Sequence, residues 1–248
     1  MKVRLDKLLA NAGLGSRKEV SEKIKEGRVQ VNGEIINLPK TKVEENAHLL
    51  IDGGKVRTDP YVYYLMNKPT GVISASRDRE KTVIDLIRKE DQRKGLFPAG
   101  RLDKDTSGLL LITNDGRLSH RLLSPGRHVK KVYIADLDQP IEEADLVSFR
   151  EGIILKPEGI LTQPAKLEIL SDTCGRVTIS EGKYHQIKRM FANCGKYVLK
   201  LKRIQFADLK LPEALAPGDY RPLSPEEIED LQRSVGSERQ ENRIREEE

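Results

Sequence analysis

Taken as a pattern of apolar and polar positions, the chain opens with Leu5, Leu8, Leu9 and Ala12 at helical spacing, which predicts a short amphipathic helix over residues 3–12. Gly13 and Gly15 interrupt it, and Ser16 starts a second helix. Ser16-Arg-Lys-Glu19 is a capping-box pattern, in which the serine oxygen takes one free helix N–H and the glutamate reaches back to another. Gly27 ends that helix with a residue that accepts positive φ. Val29–Val31, the turn Asn32-Gly33 and Glu34–Ile36 predict a hairpin, and Leu49–Ile51 before Asp52-Gly53-Gly54 predicts a third strand. Together these elements make a small unit over residues 1–58, with Arg57–Pro60 as its linker.

Beyond the linker the pattern changes. Val62–Met66, Leu109–Thr113, Lys131–Leu137, Ala165–Leu170 and Arg176–Ser180 read as strands. Helical spacing falls between them at Gly116–Leu123, Glu142–Arg150 and Tyr184–Asn193. In the last of these, Ile187, Met190, Phe191 and Cys194 form one apolar stripe, and Gly195 supplies the C-terminal cap. Strands outnumber helices and do not alternate strictly with them. The expected class is therefore α+β, with a mixed, mainly antiparallel sheet over residues 59–232. The charged stretch 233–248 is expected to be a disordered tail.

Composition narrows the possibilities. A chain of 248 residues can hold one large domain or two unequal ones. No apolar run approaches the roughly 20 residues that cross a bilayer. The opening MKVRLDKLLANAGL mixes charge with leucine unlike a secretory signal, so the expected location is the cytoplasm, with no membrane partner. Cys174 and Cys194 read as ordinary thiols, and none of the four histidines has metal-ligand spacing, so no metal is expected. The net charge of +5 is unevenly spread: Glu226–Glu248 carries nine acids and four arginines, leaving +10 on the rest. Residues 1–33 hold eight Lys and Arg against four acids, and residues 176–205 hold eight against one. Two basic regions suit a polyanion, of which nucleic acid is the commonest, or are simply solvated faces.

The sharpest local feature is Gly100-Arg-Leu-Asp-Lys-Asp-Thr-Ser-Gly-Leu-Leu-Leu-Ile112, a polar loop running into an apolar strand. Asp103 and Asp105 cannot both be core residues. One can be displayed as a reactive group at a sheet edge, or both can cap backbone N–H groups in a turn.

GRLDKDTSGLL resembles the active-site motif of the RsuA-type pseudouridine synthases. Asn67-Lys-Pro-Thr-Gly71, Leu123-Ser-Pro125 followed by Lys131-Val-Tyr133, and Glu181-Gly-Lys-Tyr-His-Gln-Ile-Lys-Arg-Met190 resemble the family's other motifs, in its order. Residues 1–58 resemble the RNA-binding domain shared with ribosomal protein S4, through Arg4-Leu-Asp-Lys7, Gly15-Ser-Arg17 and Gly27–Gly33. The resemblance covers about residues 2–231 and implies a fold, a reaction and a site.

By resemblance Asp103 is the carboxylate that attacks the uridine, either as nucleophile or by stabilising a glycal-like intermediate. Tyr133 would stack on the extracted base or act on a proton, and Lys188 would pair with the aspartate. Arg189, about 100° further round the helix, cannot point the same way as Lys188, but joins the RNA-binding candidates. Arg101 would fill the space left by a flipped base or hold a phosphate, and Leu201 would underlie the uracil ring. Thr106 and Ser107 would fix the loop by hydrogen bonds. Isomerisation transfers no electrons and no external group, so no cofactor is expected. In the first unit Arg4, Arg17, Lys18, Lys25 and Arg28 are the RNA candidates, the last four clustering toward one helix face. The sequence Leu215–Ser224 and the Leu123-Ser-Pro125 segment lean toward 16S rRNA, or the assembling small subunit, as partner of a monomeric enzyme. A 23S rRNA enzyme, a non-catalytic assembly factor and a DNA-binding regulator are the alternatives.

Overall fold

The computed structural model describes residues 2–44, 47–56 and 61–236. The chain forms two compact units: one runs to Val62 and regains Ile87–Leu96, the other comprises Tyr63–Leu86 and the chain from Phe97 onward. The return of Ile87–Leu96 to the first unit is not visible in the apolar pattern. The expected linker Arg57–Pro60 lies outside the described residues.

The first unit runs β1 (Lys2–Arg4), α1 (Leu5–Asn11), α2 (Arg17–Lys25), β2 (Val29–Val31), β3 (Glu34–Ile35), β4 (Lys42–Glu44), β5 (Leu49–Ile51) and β6 (Gly54–Val56). The helix expected from residue 3 starts at Leu5, because residues 2–4 pair instead with β4, Val3 opposite Val43. The Ser16–Glu19 capping box forms as read, and Asn32 and Gly33 take the positive φ that a tight hairpin turn requires. Four antiparallel strands lie in the order β3-β2-β5-β6. Leu5, Leu9, Val20, Ile24 and Val29 are fully buried at the centre of the unit. Each contributes about 1.5–3 kcal/mol by leaving water.

The second unit contains β7 (Tyr63–Lys68), β8 (Phe97–Ala99), β9 (Thr106–Thr113), α3 (Gly116–Leu123), β10 (Lys131–Leu137), α4 (Glu143–Glu151), β11 (Ile154–Leu155), β12 (Ile160–Leu161), β13 (Lys166–Ser171), β14 (Cys174–Ile179), α5 (Gln186–Asn193), β15 (Val198–Phe206), β16 (Leu209–Lys210), β17 (Tyr220–Pro222) and α6 (Pro225–Ser234). Its main sheet has the order β13-β14-β10-β15-β9-β7-β17, with β8 on β9 and β16 on β15. The pairings are antiparallel except that of β9 with β15. The fold is α+β with a mixed, mainly antiparallel sheet.

Residues of β9 are buried on both faces, which explains why Leu109–Ile112 reads as an unbroken apolar run rather than an alternation. One face carries Leu109 and Leu111 into a core with Leu118 and Leu122 of α3, Phe206 and Leu231. The helix expected from Tyr184 begins at Gln186, since His185 adopts a left-handed backbone and acts as the N-cap residue. Residues 233–236, expected to open a disordered tail, are ordered: α6 runs to Ser234, Val235 is buried and Arg121 donates to the Gly236 carbonyl. The remainder of that stretch, 237–248, lies outside the described residues.

Candidate active site

The loop Gly100–Asp105 enters β9 at the strand's parallel border with β15. Gly108 makes that border possible. Its φ is +104°, and a Cβ there would sit 2.2 Å from the Arg203 carbonyl oxygen and 2.7 Å from the Arg203 nitrogen. Only glycine lets the two backbones approach so closely. Thr106 and Ser107, expected in the loop, are the first residues of β9, opposite Leu201 and Lys202 of β15.

The loop is held from below through its main chain. Lys68, at the end of β7, is fully buried, and its ammonium donates to the carbonyls of Pro69 (3.0 Å), Asp103 (3.0 Å) and Thr106 (2.9 Å). Burial pushes this lysine down to about 8, against the pull of the Asp103 and Asp105 charges. Ser74 Oγ accepts from Leu102 N and donates to Leu102 O, clamping the residue before Asp103. The Gly71 N–H donates to Lys104 O. With its backbone bound, Asp103 leaves its side chain to the cleft.

Asp103 Oδ2 accepts from Lys188 Nζ at 3.0 Å, and His185 Nε2 lies 3.5 Å from Oδ1. Lys188 also donates to Asp105 Oδ1 at 2.6 Å. Burial lowers the Lys188 value, but the two carboxylates outweigh it and leave the group above the ordinary lysine range. Asp105 is correspondingly held below the usual carboxylate range by its bond to Lys188.

Asp103 faces a cleft of about 990 Å³ whose walls include Arg101, Tyr133, Leu201, Lys131 and Arg203. Lys188 is not part of that lining and reaches the carboxylate from outside it. Tyr133 on β10 and Leu201 on β15 are nearly buried wall residues. Lys131 is likewise buried, and desolvation brings it down to about 8. Arg203, 2% exposed, donates Nε to Leu109 O and lies 4.9 Å over the Phe206 ring. The arrangement is a carboxylate beside a cation, in an aromatic and cationic hollow with room for a nucleotide.

Residues 62–193 match the family profile described as RNA pseudouridylate synthase. The chain belongs to the RNA pseudouridine synthase family. Its members isomerise uridine to pseudouridine in RNA. The synthase also carries an S4 domain over residues 3–49. It is 46% identical to the uncharacterized RNA pseudouridine synthase YtzG of Bacillus subtilis, covering 91% of this chain and 97% of that one. It is 39% identical to the ribosomal small subunit pseudouridine synthase A of Escherichia coli, covering 91% and 98%. A crystal structure titled pseudouridylate synthase superimposes with a TM-score of 0.66 at 39% identity, covering 92% of this chain and 99% of that one.

Of the residues singled out from sequence, Asp103, Tyr133, Leu201 and Arg101 meet at the cleft of the synthase, with Lys188 on the Asp103 carboxylate. Arg189 is placed elsewhere. Its guanidinium donates to Lys156 O (2.6 Å) and Tyr184 O (3.2 Å) and pairs with Glu158, so it fastens the β11–β12 turn to α5. In the first unit the RNA candidates are partly spent on acids: Arg28 pairs with Asp52 and Glu26, while Arg4 and Arg17 converge on Asp6. Lys18 and Lys25 are exposed. Lys68, His185, Lys131 and Arg203 were missed as individuals. The first three lie inside recognised motifs, which is the signal that could have found them. Among the described residues no group of three His, Cys, Asp or Glu side chains is arranged to hold a metal ion, and no helix is long and apolar enough to cross a membrane.

Proposed function

We propose that this synthase converts one specific uridine of 16S rRNA to pseudouridine, with Asp103 as the nucleophile. The observation that carries this reading is the Asp103 carboxylate facing the cleft, held at 3.0 Å by Lys188, with Tyr133 in the cleft wall. The small-subunit relative of Escherichia coli named above supports the choice of RNA. The flipped uridine enters the cleft with its base against Tyr133 and over Leu201. The bond between ribose C1′ and N1 breaks, and N1 takes the bond's electrons. Asp103 stabilises the sugar, either by bonding to it or by promoting a glycal. The freed base turns, C5 bonds to C1′, and the proton on C5 is transferred to N1, so nothing enters or leaves. Lys188 pairs with the carboxylate and orients it, Arg101 fills the gap left in the RNA, and Arg4, Arg17, Lys18, Lys25 and Arg28 contact phosphates. The enzyme acts as a monomer, in the cytoplasm, without a cofactor; residues 1–58 form its RNA-binding domain and 59–232 its catalytic domain.

The test is to incubate the protein with purified small- and large-subunit rRNA and map pseudouridine in each. One new site in 16S rRNA, absent with Asp103→Asn at undiminished RNA affinity, is the expected result. Modification confined to 23S rRNA would remove the substrate assignment, and normal turnover by Asp103→Asn would remove the nucleophile.

A further inference from the structure

We propose that Tyr184 and His185 form a stacking platform for the RNA base adjacent to the uridine being isomerised, and so help to select the sequence around it. The two rings are stacked, with centroids 3.8 Å apart and planes 18° apart. Both line the cleft. His185 Nε2 lies 3.5 Å from the Asp103 carboxylate, so the ring pair starts at the group assigned to attack and leads outward. Tyr184 is 74% exposed although one face is covered by His185, so its other face is open to solvent. An open aromatic face beside a cationic cleft is what unstacked bases recognise in single-stranded RNA.

The platform is built rather than incidental. His185 holds a left-handed backbone, φ 47° and ψ 34°, which is uncommon for a residue with a side chain. The surrounding loop is pinned on several sides. Gln186 Nε2 donates to Glu181 Oε1 at 2.8 Å, Lys183 N donates to Gln186 Oε1 at 2.9 Å, and Gln163 N donates to the same glutamate at 2.9 Å. Arg189 reaches back to the Tyr184 carbonyl. A loop held this firmly loses little entropy when a base lands on the rings it carries. A base on the outer face of Tyr184 continues outward the stack that begins with His185 beside Asp103. Tyr197 is also exposed, at 69%, but does not line the cleft.

The inference rests on Asp103 being the reacting group, yet its test needs no turnover. The probe is a uridine-centred single-stranded RNA with 2-aminopurine immediately 5′ or immediately 3′ of the uridine, titrated with the full-length Asp103→Asn protein. Stacking quenches 2-aminopurine, so one of the two positions is expected to be quenched on binding. Adding Tyr184→Ala should abolish that quenching and weaken binding by roughly five- to a hundredfold, the range of one aromatic–base stack. Tyr184→Phe should restore both, since the ring and not the hydroxyl is used, and Tyr197→Ala should change neither. No quenching at either position, quenching that survives Tyr184→Ala, or failure of Tyr184→Phe to restore it each overturns the platform. Absence of pseudouridine in the rRNA mapping would instead overturn the catalytic assignment and leave this result standing.

Discussion

Replacing Gly108 by alanine tests the architecture under the candidate site most directly. The added methyl would lie 2.2, 2.7 and 2.9 Å from the carbonyl oxygen, nitrogen and carbonyl carbon of Arg203. All three are backbone atoms, so no flexible side chain can yield, and β9 and β15 must separate by about 1 Å to restore ordinary contact distances. Alanine must also hold φ +104°, a conformation L-residues avoid. Overpacking costs about 1–3 kcal/mol and the backbone strain about 1–3 kcal/mol more, so the combined loss is about 2–6 kcal/mol. For a chain of this size that lowers the melting temperature by about 4–24 °C. Catalysis should fall further than stability alone explains. The parallel border places Thr106 opposite Leu201 three residues after Asp103, the proposed nucleophile, and a displacement near 1 Å at a reacting group costs on the order of a hundredfold. The assay is a thermal melt beside single-turnover pseudouridine formation at a temperature where the variant is folded. Gly116→Ala is the control, because a Cβ there meets nothing within 4 Å. A Gly108→Ala protein within 1 kcal/mol of the parent and fully active would refute the reasoning.

Other expectations follow from the same geometry. Lys188→Met should lower the single-turnover rate about a hundredfold or more, while Arg189→Ala, whose guanidinium faces the β11–β12 turn, should stay near the parent; equal losses would show that the two cations share one role. Lys68 and Lys131 fall from 10.5 to about 8 in the folded chain, so between those pH values the unfolded state binds more protons and both groups make stability rise with pH, by at most about 3 kcal/mol each. Urea unfolding at pH 8 and pH 10 should show a smaller gain, or a larger loss, in Lys131→Met than in the parent, and identical pH responses would contradict it. Lys18→Gln with Lys25→Gln should flatten the slope of log affinity for rRNA against log salt by up to about one for each phosphate these lysines neutralise, and an unchanged slope would remove them from the interface.

Most elements were legible where burial and sequence period agree. The capping box at Ser16, the Asn32-Gly33 turn, the apolar run of β9 and the stripe of α5 each have one local cause that tertiary packing does not override. What was missed breaks the rule that charge lies outside. β15 carries Arg203 inward while Leu199 near its start, like Tyr197 just before it, lies exposed, so its apolar alternation is scrambled and only Leu201 stood out. Residues 2–4 have helix-compatible spacing, but pairing with β4 satisfies their backbone instead. The start of α6 was readable from Ser224-Pro-Glu-Glu227, a capping box, yet no helix was read there and the expected tail at 233 cut into its last turn. Lys68 could not be placed from its type, since a lysine is almost never fully buried.

The exception at Lys68 explains the rest of the site. Two lysines serve the Asp103 loop, and they bind different parts of it. Lys68 takes the carbonyl oxygens of Asp103 and Thr106, so it fixes the path of the main chain without covering the carboxylate. Lys188 takes the carboxylate but divides itself, with its shorter bond to Asp105. Two aspartates and two lysines sum to zero formal charge, which moderates the cost of holding four ions close together in a partly dry site. Had one lysine done both jobs, the loop would be rigid only when the carboxylate was fully neutralised, and a fully neutralised carboxylate is a poor nucleophile. Separating support from charge balance lets the loop be set before RNA arrives, with one carboxylate oxygen bound to Lys188 and the other within reach of His185, on the side where the stacked rings begin.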